Sequence, residues 1–205
     1  MPMGVRLPGP VTFLRYVWDL RLYILAVMII FAMFYVVGYA AATSLPQVSG
    51  SVVSNFKSEV SPLKELSPVA LMLGIFVNNA VKCLLAIVLG LAFGIAPAVF
   101  ILINGLMLGF VVGETLPHTS LLYILVGMVP HGVIEMPMVF ISSAIGLKLG
   151  VLALKTLMGK KEGMSDKVKD AILVYIVWIF PLLFLAAFIE TFVTGPLLYM
   201  VFGGQ

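Results

Sequence analysis

The sequence predicts an all-α integral membrane protein with about five transmembrane helices, and three observations carry that prediction. Hydrophobic residues make up 62% of the 205 positions and charged residues only 10%, where an average soluble domain carries roughly 25% charged. The mean hydropathy is +1.18. The apolar residues are gathered into separate runs of about 20 or more, the length that crosses a ~30 Å hydrocarbon core as a helix. No stretch is polar enough to form a soluble domain of useful size, so residues 1–205 read as a single membrane domain.

The elements follow in chain order. Leu22 to Ala42 is too long for the apolar core of a signal peptide, so with Arg6, Arg15 and Arg21 before it this run reads as an uncleaved first span. Residues 44–68 are a polar connection whose valines and serines suit a short amphipathic interfacial helix. Pro68 fits a first helical turn, and the second span runs from there to about Phe93. "GIAP" then makes a tight turn, Pro97 starts a third span that reaches Gly113, and "ETLPHTS" forms a short polar connection. From Leu121 to Gly150 the chain is apolar for a length of roughly 45 Å as one helix, more than the core thickness. Pro130 lacks the amide donor and clashes with the preceding turn, so a broken helix is expected there, with a short interfacial or re-entrant segment at 119–129 and a spanning helix from 130 to about 149. Residues 151–170 read as a charged cytoplasmic loop. The fifth span covers Ala171 to Ile189 and ends at Glu190, and the tail 191–203, interrupted by Gly195 and Pro196, reads as interfacial or re-entrant.

Charge sets orientation and excludes partners. Arg6, Arg15 and Arg21 precede the first span, and Lys148, Lys155, Lys160, Lys161, Lys167 and Lys169 lie between the fourth and fifth. Five spans put both groups on one side, so the positive-inside rule predicts a multi-pass protein of the cell membrane with a cytoplasmic N-terminus. A net charge of +3, with the basic residues flanking apolar runs, points to the lipid bilayer and not to nucleic acid. The single Cys83 excludes an intramolecular disulfide and a multi-cysteine metal site.

Glycine spacing supplies the packing signals. Gly105, Gly109 and Gly113 form two overlapping small-xxx-small patterns, and Gly90 with Gly94 and Gly146 with Gly150 form one each. Sliding the second span onto the fourth superposes these last two pairs at an offset of 56 residues, which sets Asn79 on Glu135. Such a match suggests parallel repeats.

Six polar residues inside the spans form the candidate site: Asn78, Asn79, Lys82, Asn104, His131 and Glu135. Asn78 and Lys82 share one helix face, as do His131 and Glu135, because each pair is four residues apart. An ionised side chain at mid-membrane costs roughly 2.5 kcal/mol or more, so each needs protein or water beside it. Lys82 is the one cation and Glu135 the one carboxylate well inside spans, so these helices are expected to meet. His131 and Glu135 could give two metal ligands from one face, but the zinc-protease H-E-x-x-H is absent and His118 is the only other histidine. No nucleophile elbow, phosphate loop or dinucleotide fingerprint is present. The expectation is therefore no enzyme, no catalytic residue, no metal and no cofactor.

"FVNNAVKCLLAIVLGLAFGIAPAVFILINGLMLG" followed by "LVGMVPHGVIEMPMVFISSAIGLKLG" resembles the stage II sporulation protein M family over about residues 70–150, taken as the family core. The matching positions are Asn78, Asn79, Asn104, Gly105, Pro130, His131, Gly132, Glu135, Gly146 and Gly150. The resemblance implies a multi-span scaffold or anchor, since the sporulation namesake is similar to an anchor for peptidoglycan-degrading proteins at the septum. Membrane or cell-wall-remodelling proteins are the partners it suggests. The expected function is a non-enzymatic scaffold acting through self-association, as a homodimer, and through membrane partners. The alternative is a small-solute or ion transporter or channel using the intramembrane polar cluster, placed between the second, third and fourth spans.

Overall fold

A computed structural model describes residues 8–45, 50, 51, 54, 58, 66–160 and 163–203, and among these the chain is helical with no strand. Its α-helices are α1 (Pro10–Asp19), α2 (Arg21–Ser44), α3 (Pro68–Val88), α4 (Ile95–Thr115), α5 (Leu121–Leu157), α6 (Met164–Val174), α7 (Phe180–Ile189) and α8 (Gly195–Phe202). A 3-10 turn at Leu89–Leu91 extends α3, and π-helical segments at Tyr175–Ile179 and Glu190–Thr194 weld α6, α7 and α8 into one rod. Five helical stretches are long and apolar enough to cross a membrane: Arg21–Ser44, Pro68–Leu91, Ile95–Thr115, Leu121–Leu157 and Met164–Phe202.

Three expectations need correction. The helix does not break at Pro130: α5 runs unbroken for 37 residues through both Pro130 and Pro137. Each proline removes one amide donor, so the carbonyls of Val126 and Val133 lose their usual partners, yet an apolar surrounding offers no better route for the remaining backbone groups than to stay helical. Residues 119–129 are accordingly no separate segment but the cap and first turns of α5, with the Ser120 hydroxyl accepting from the Tyr123 amide at 3.2 Å. Second, the tail is not separate: Gly195 and Pro196 open α8 directly after the π-helical segment Glu190–Thr194, and the chain stays helical through them. Third, the charged loop is shorter than 151–170, because α5 continues to Leu157 and α6 begins at Met164. Lys155 lies in the last turn of α5 and Asp166 in the first turn of α6, where the helix dipoles favour a base and an acid respectively. The proposed interfacial helix at 44–68, together with Arg6, Lys57, Lys64 and Lys161, falls largely outside the described residues.

α5 is the central helix. It is the most buried of the five spanning stretches, and α2 the least, and Ile145 at 1% exposure packs with Cys83, Ile87, Ile179 and Leu183 in the main core. The glycines set how closely the neighbours approach. Gly105 faces the backbone of Phe31, Gly109 that of Tyr35 and Tyr39, and Gly113 the Ala42 side chain and Tyr39 backbone, while Gly38 of α2 faces Leu106 in return. The triple run thus joins α4 to α2 within one chain. Gly90 lies against Gly146, Gly146 against the Ala86 carbonyl and Pro97, and Gly150 against Phe93 and Gly94. The two pairs that superpose in the sequence therefore pack on one another, locking α3 and the α3–α4 turn to α5. That turn is reversed by two left-handed residues, Phe93 at φ 61° and Gly94 at φ 75°. At the same end α1 lies against the base of the rod, where Phe13 stacks on Trp178 at 4.8 Å and the Trp178 indole donates to the Pro8 carbonyl at 2.8 Å.

Candidate functional site

Helix arithmetic brings a polar group to one level of the bundle. Glu135 lies ~21 Å from the Leu121 end of α5, Asn79 ~16 Å from the Pro68 end of α3, and Glu190 ~18 Å from the Phe202 end of the rod. All three depths fall near the middle of a ~30 Å core.

The three elements meet there. His131 and Glu135 project from one face of α5, and the ligand-type atoms of His131, Glu135 and Glu190 lie within 4.8 Å of one another. The Thr194 hydroxyl sits 3.4 Å from His131 Nδ1, and Thr194 itself is 4% exposed. Asn79 and Lys82 of α3 are near enough to Glu135 to favour its charged form, Asn79 through its side-chain amide and Lys82 through its charge, and among the described residues no salt bridge joins Lys82 to Glu135. The whole rod side of the cluster comes from the π-helical segment Glu190–Thr194, a type of helix distortion often found at functional sites.

This arrangement differs from the one expected in three ways. The helices carrying Lys82 and Glu135 meet as expected, but of the partners expected for Glu135 Lys82 lies on the exposed face of α3 and forms no salt bridge with it, while Asn79 is partly buried. Asn104 is outside the cluster, its amide donating back to the Phe100 carbonyl of its own helix at 2.7 Å. The cavity expected between the second, third and fourth spans is replaced by a cluster between α3, α5 and the rod. Glu190 was placed at a span boundary because Gly195 and Pro196 read as helix breakers. Its signal in the sequence is that it is the only charged residue from Ala171 to Phe202.

Asn78 links the cluster to the surface. Its amide donates to Asn79 Oδ1 at 3.4 Å, and both it and Lys82 are exposed. His118 is exposed near the Thr119 end and does not join the site. At the opposite end a cavity of about 260 Å³ is lined by Arg15, Tyr16, Asp19, Lys148, Lys167 and Asp170. Burial, then the Asp170 charge, holds the Tyr16 phenol above its ordinary range, and Lys148 lies 5.7 Å from the Tyr16 ring centre.

The stage II sporulation protein M family profile matches residues 27–195. The chain belongs to that family. The match takes in every spanning stretch at least in part and extends well beyond residues 70–150, so Glu190 and Thr194 lie within it along with Asn79, His131 and Glu135. An uncharacterized protein of Methanocaldococcus jannaschii is 24% identical over 178 residues, covering 85% of this chain and 95% of that protein. No solved structure matches. The protein is thus a stage II sporulation protein M family membrane protein with several apolar helices.

Proposed function

We propose that this protein is a non-enzymatic membrane scaffold or anchor that works as a homodimer and holds membrane or cell-wall-remodelling partners. The observation that carries the reading is a polar stripe on the outward face of α3. Gly74, Asn78 and Lys82 recur at every fourth position and are all exposed, flanked by Val77, Val81 and Leu85. A lysine facing lipid at this depth costs roughly 2.5–3.5 kcal/mol or more. Its Cα–Cβ bond tilts toward the helix N-terminus, toward the level of Asn78 and away from the nearer end of α3.

A second copy satisfies this stripe. An amide offers two donors and an acceptor, so Asn78 is self-complementary, which a two-fold contact requires. Gly74 has nothing near the place a Cβ would occupy, so another backbone can approach there. Lys82 then reaches the amide oxygen of Asn78 in the second copy. The glycine run on α4 does not support the dimer, because α2 already covers it.

Single cysteines in a Cys83→Ser background test this reading. A cysteine at Gly74 should cross-link between copies in native membranes, whereas one at Val36, on the exposed face of α2, should not. Cross-linking of Val36 alone would place the interface elsewhere. The lysines around Lys155 and Lys160 support a cytoplasmic N-terminus in the cell membrane. Cysteines at the exposed Thr119 and Lys160 should accordingly label from outside and inside, respectively, and the reverse pattern would invert the topology.

The mid-depth cluster favours a second reading, a path for a small ion or solute. Flux into reconstituted liposomes that is lost in Glu190→Gln would support it. Flux equal to that of empty liposomes would leave the scaffold alone.

A further inference from the structure

We propose that His131, Glu135 and Glu190 bind one divalent first-row transition-metal ion. The donor set is one imidazole nitrogen and two carboxylates, and mixed nitrogen and oxygen ligands of this kind suit zinc, iron or manganese. A tetrahedral ion with bonds of ~2.0–2.2 Å holds its ligands ~3.4 Å apart. The observed separations, within 4.8 Å, close to that by glutamate rotamer changes of about an ångström without moving a helix.

Two independent features point the same way. Thr194, almost fully buried, lies on His131 Nδ1 and can accept its proton. With Nδ1 donating to Thr194, Nε2 is the unprotonated nitrogen left for the ion, and a contact of this kind is what orients a metal-binding histidine. Charge gives the second argument. Two carboxylates this close at mid-membrane repel strongly unless something positive lies between them, and Lys82 makes no ion pair with Glu135. A divalent ion neutralises both carboxylates at once. Asn79, whose amide favours the charged Glu135, then orients one ligand from the α3 side.

The prolines fit this placement. Pro130 and Pro137 bracket His131 and Glu135, so the Val133 carbonyl within the ligand-bearing stretch and the Val126 carbonyl about one turn before it lack their usual donors. That leaves room for local adjustment of the ligand-bearing turns as the ion binds.

The test uses the full-length protein purified in detergent, stripped with a chelator, incubated with Zn²⁺ and desalted, with metal per chain counted by mass spectrometry. About one ion per chain is expected in the wild type. Retention should fall about 100-fold or more in Glu190→Gln and in Glu135→Gln, while His118→Ala should retain the wild-type amount. Co²⁺ in place of Zn²⁺ should give a visible absorption band that Glu190→Gln abolishes. Wild-type protein that retains no more Zn²⁺ than a metal-free blank overturns the proposal and leaves the carboxylates sharing a proton. So does loss of the ion in His118→Ala with retention in Glu190→Gln. Should a glutamine variant elute as aggregate, the wild-type count alone decides.

Discussion

Gly146→Leu is expected to abolish the folded protein. A Cβ at this position would overlap the Ala86 carbonyl oxygen and crowd Pro97, and Gly90 from the facing helix is already against the Gly146 backbone. Overpacking a core usually costs about 1–3 kcal/mol because side chains can shift. Here backbone meets backbone, so α3 and α5 must separate, and α5 carries the central core. The cost exceeds that range and consumes much of a net stability of about 5–15 kcal/mol. Gly132→Ala is the matching control, since nothing lies within 4 Å of its added carbon, and alanine favours a helix over glycine by about 1 kcal/mol. Size-exclusion profiles and thermal melts of the two variants in detergent check this. A monodisperse, wild-type-like Gly146→Leu would mean that α3 and α5 do not approach as closely as described.

Asn78→Leu should break the dimer while leaving each chain folded. The residue is exposed, and the hydrogen bond its amide donates reaches its neighbour Asn79, so the change removes little inside the monomer. Polar contacts between membrane helices are worth about 0.6–2 kcal/mol each. Losing the reciprocal pair weakens association by about 10-fold or more. Lys82→Leu alone removes a charge costly at this depth as well as its contact, so its effect should be smaller, and the two substitutions should not be additive because both act at one interface.

The sequence carried the parts of this structure that depend on local spacing. Length and hydropathy located five spans, and four-residue spacing paired His131 with Glu135. The same spacing placed Gly90, Gly94, Gly146 and Gly150 on faces that the fold brings into contact. It could not tell which helix covers which face. Lys82 and Asn79 are neighbours on one helix, and only tertiary packing turns one outward and the other toward Glu135. Proline was the other limit. Pro130 and Pro196 read as breaks, whereas here Pro130 lies inside α5, as Pro137 also does, and Pro196 lies at the start of α8. In an apolar surrounding the penalty for leaving the helix is larger than the loss of one hydrogen bond. That misreading of Pro196 is what hid Glu190 and Thr194, the rod's share of the site.

The central claim is that the exposed α3 stripe joins two copies. Subunit counting in lipid membranes, with dye-labelled protein diluted stepwise in lipid, tests it most directly. The account predicts two subunits per particle for the wild type over a wide range of dilution, and one for Asn78→Leu under the same conditions. A wild-type protein that is monomeric at every protein-to-lipid ratio would contradict it, as would an Asn78→Leu variant that remains dimeric to the same dilution as the wild type.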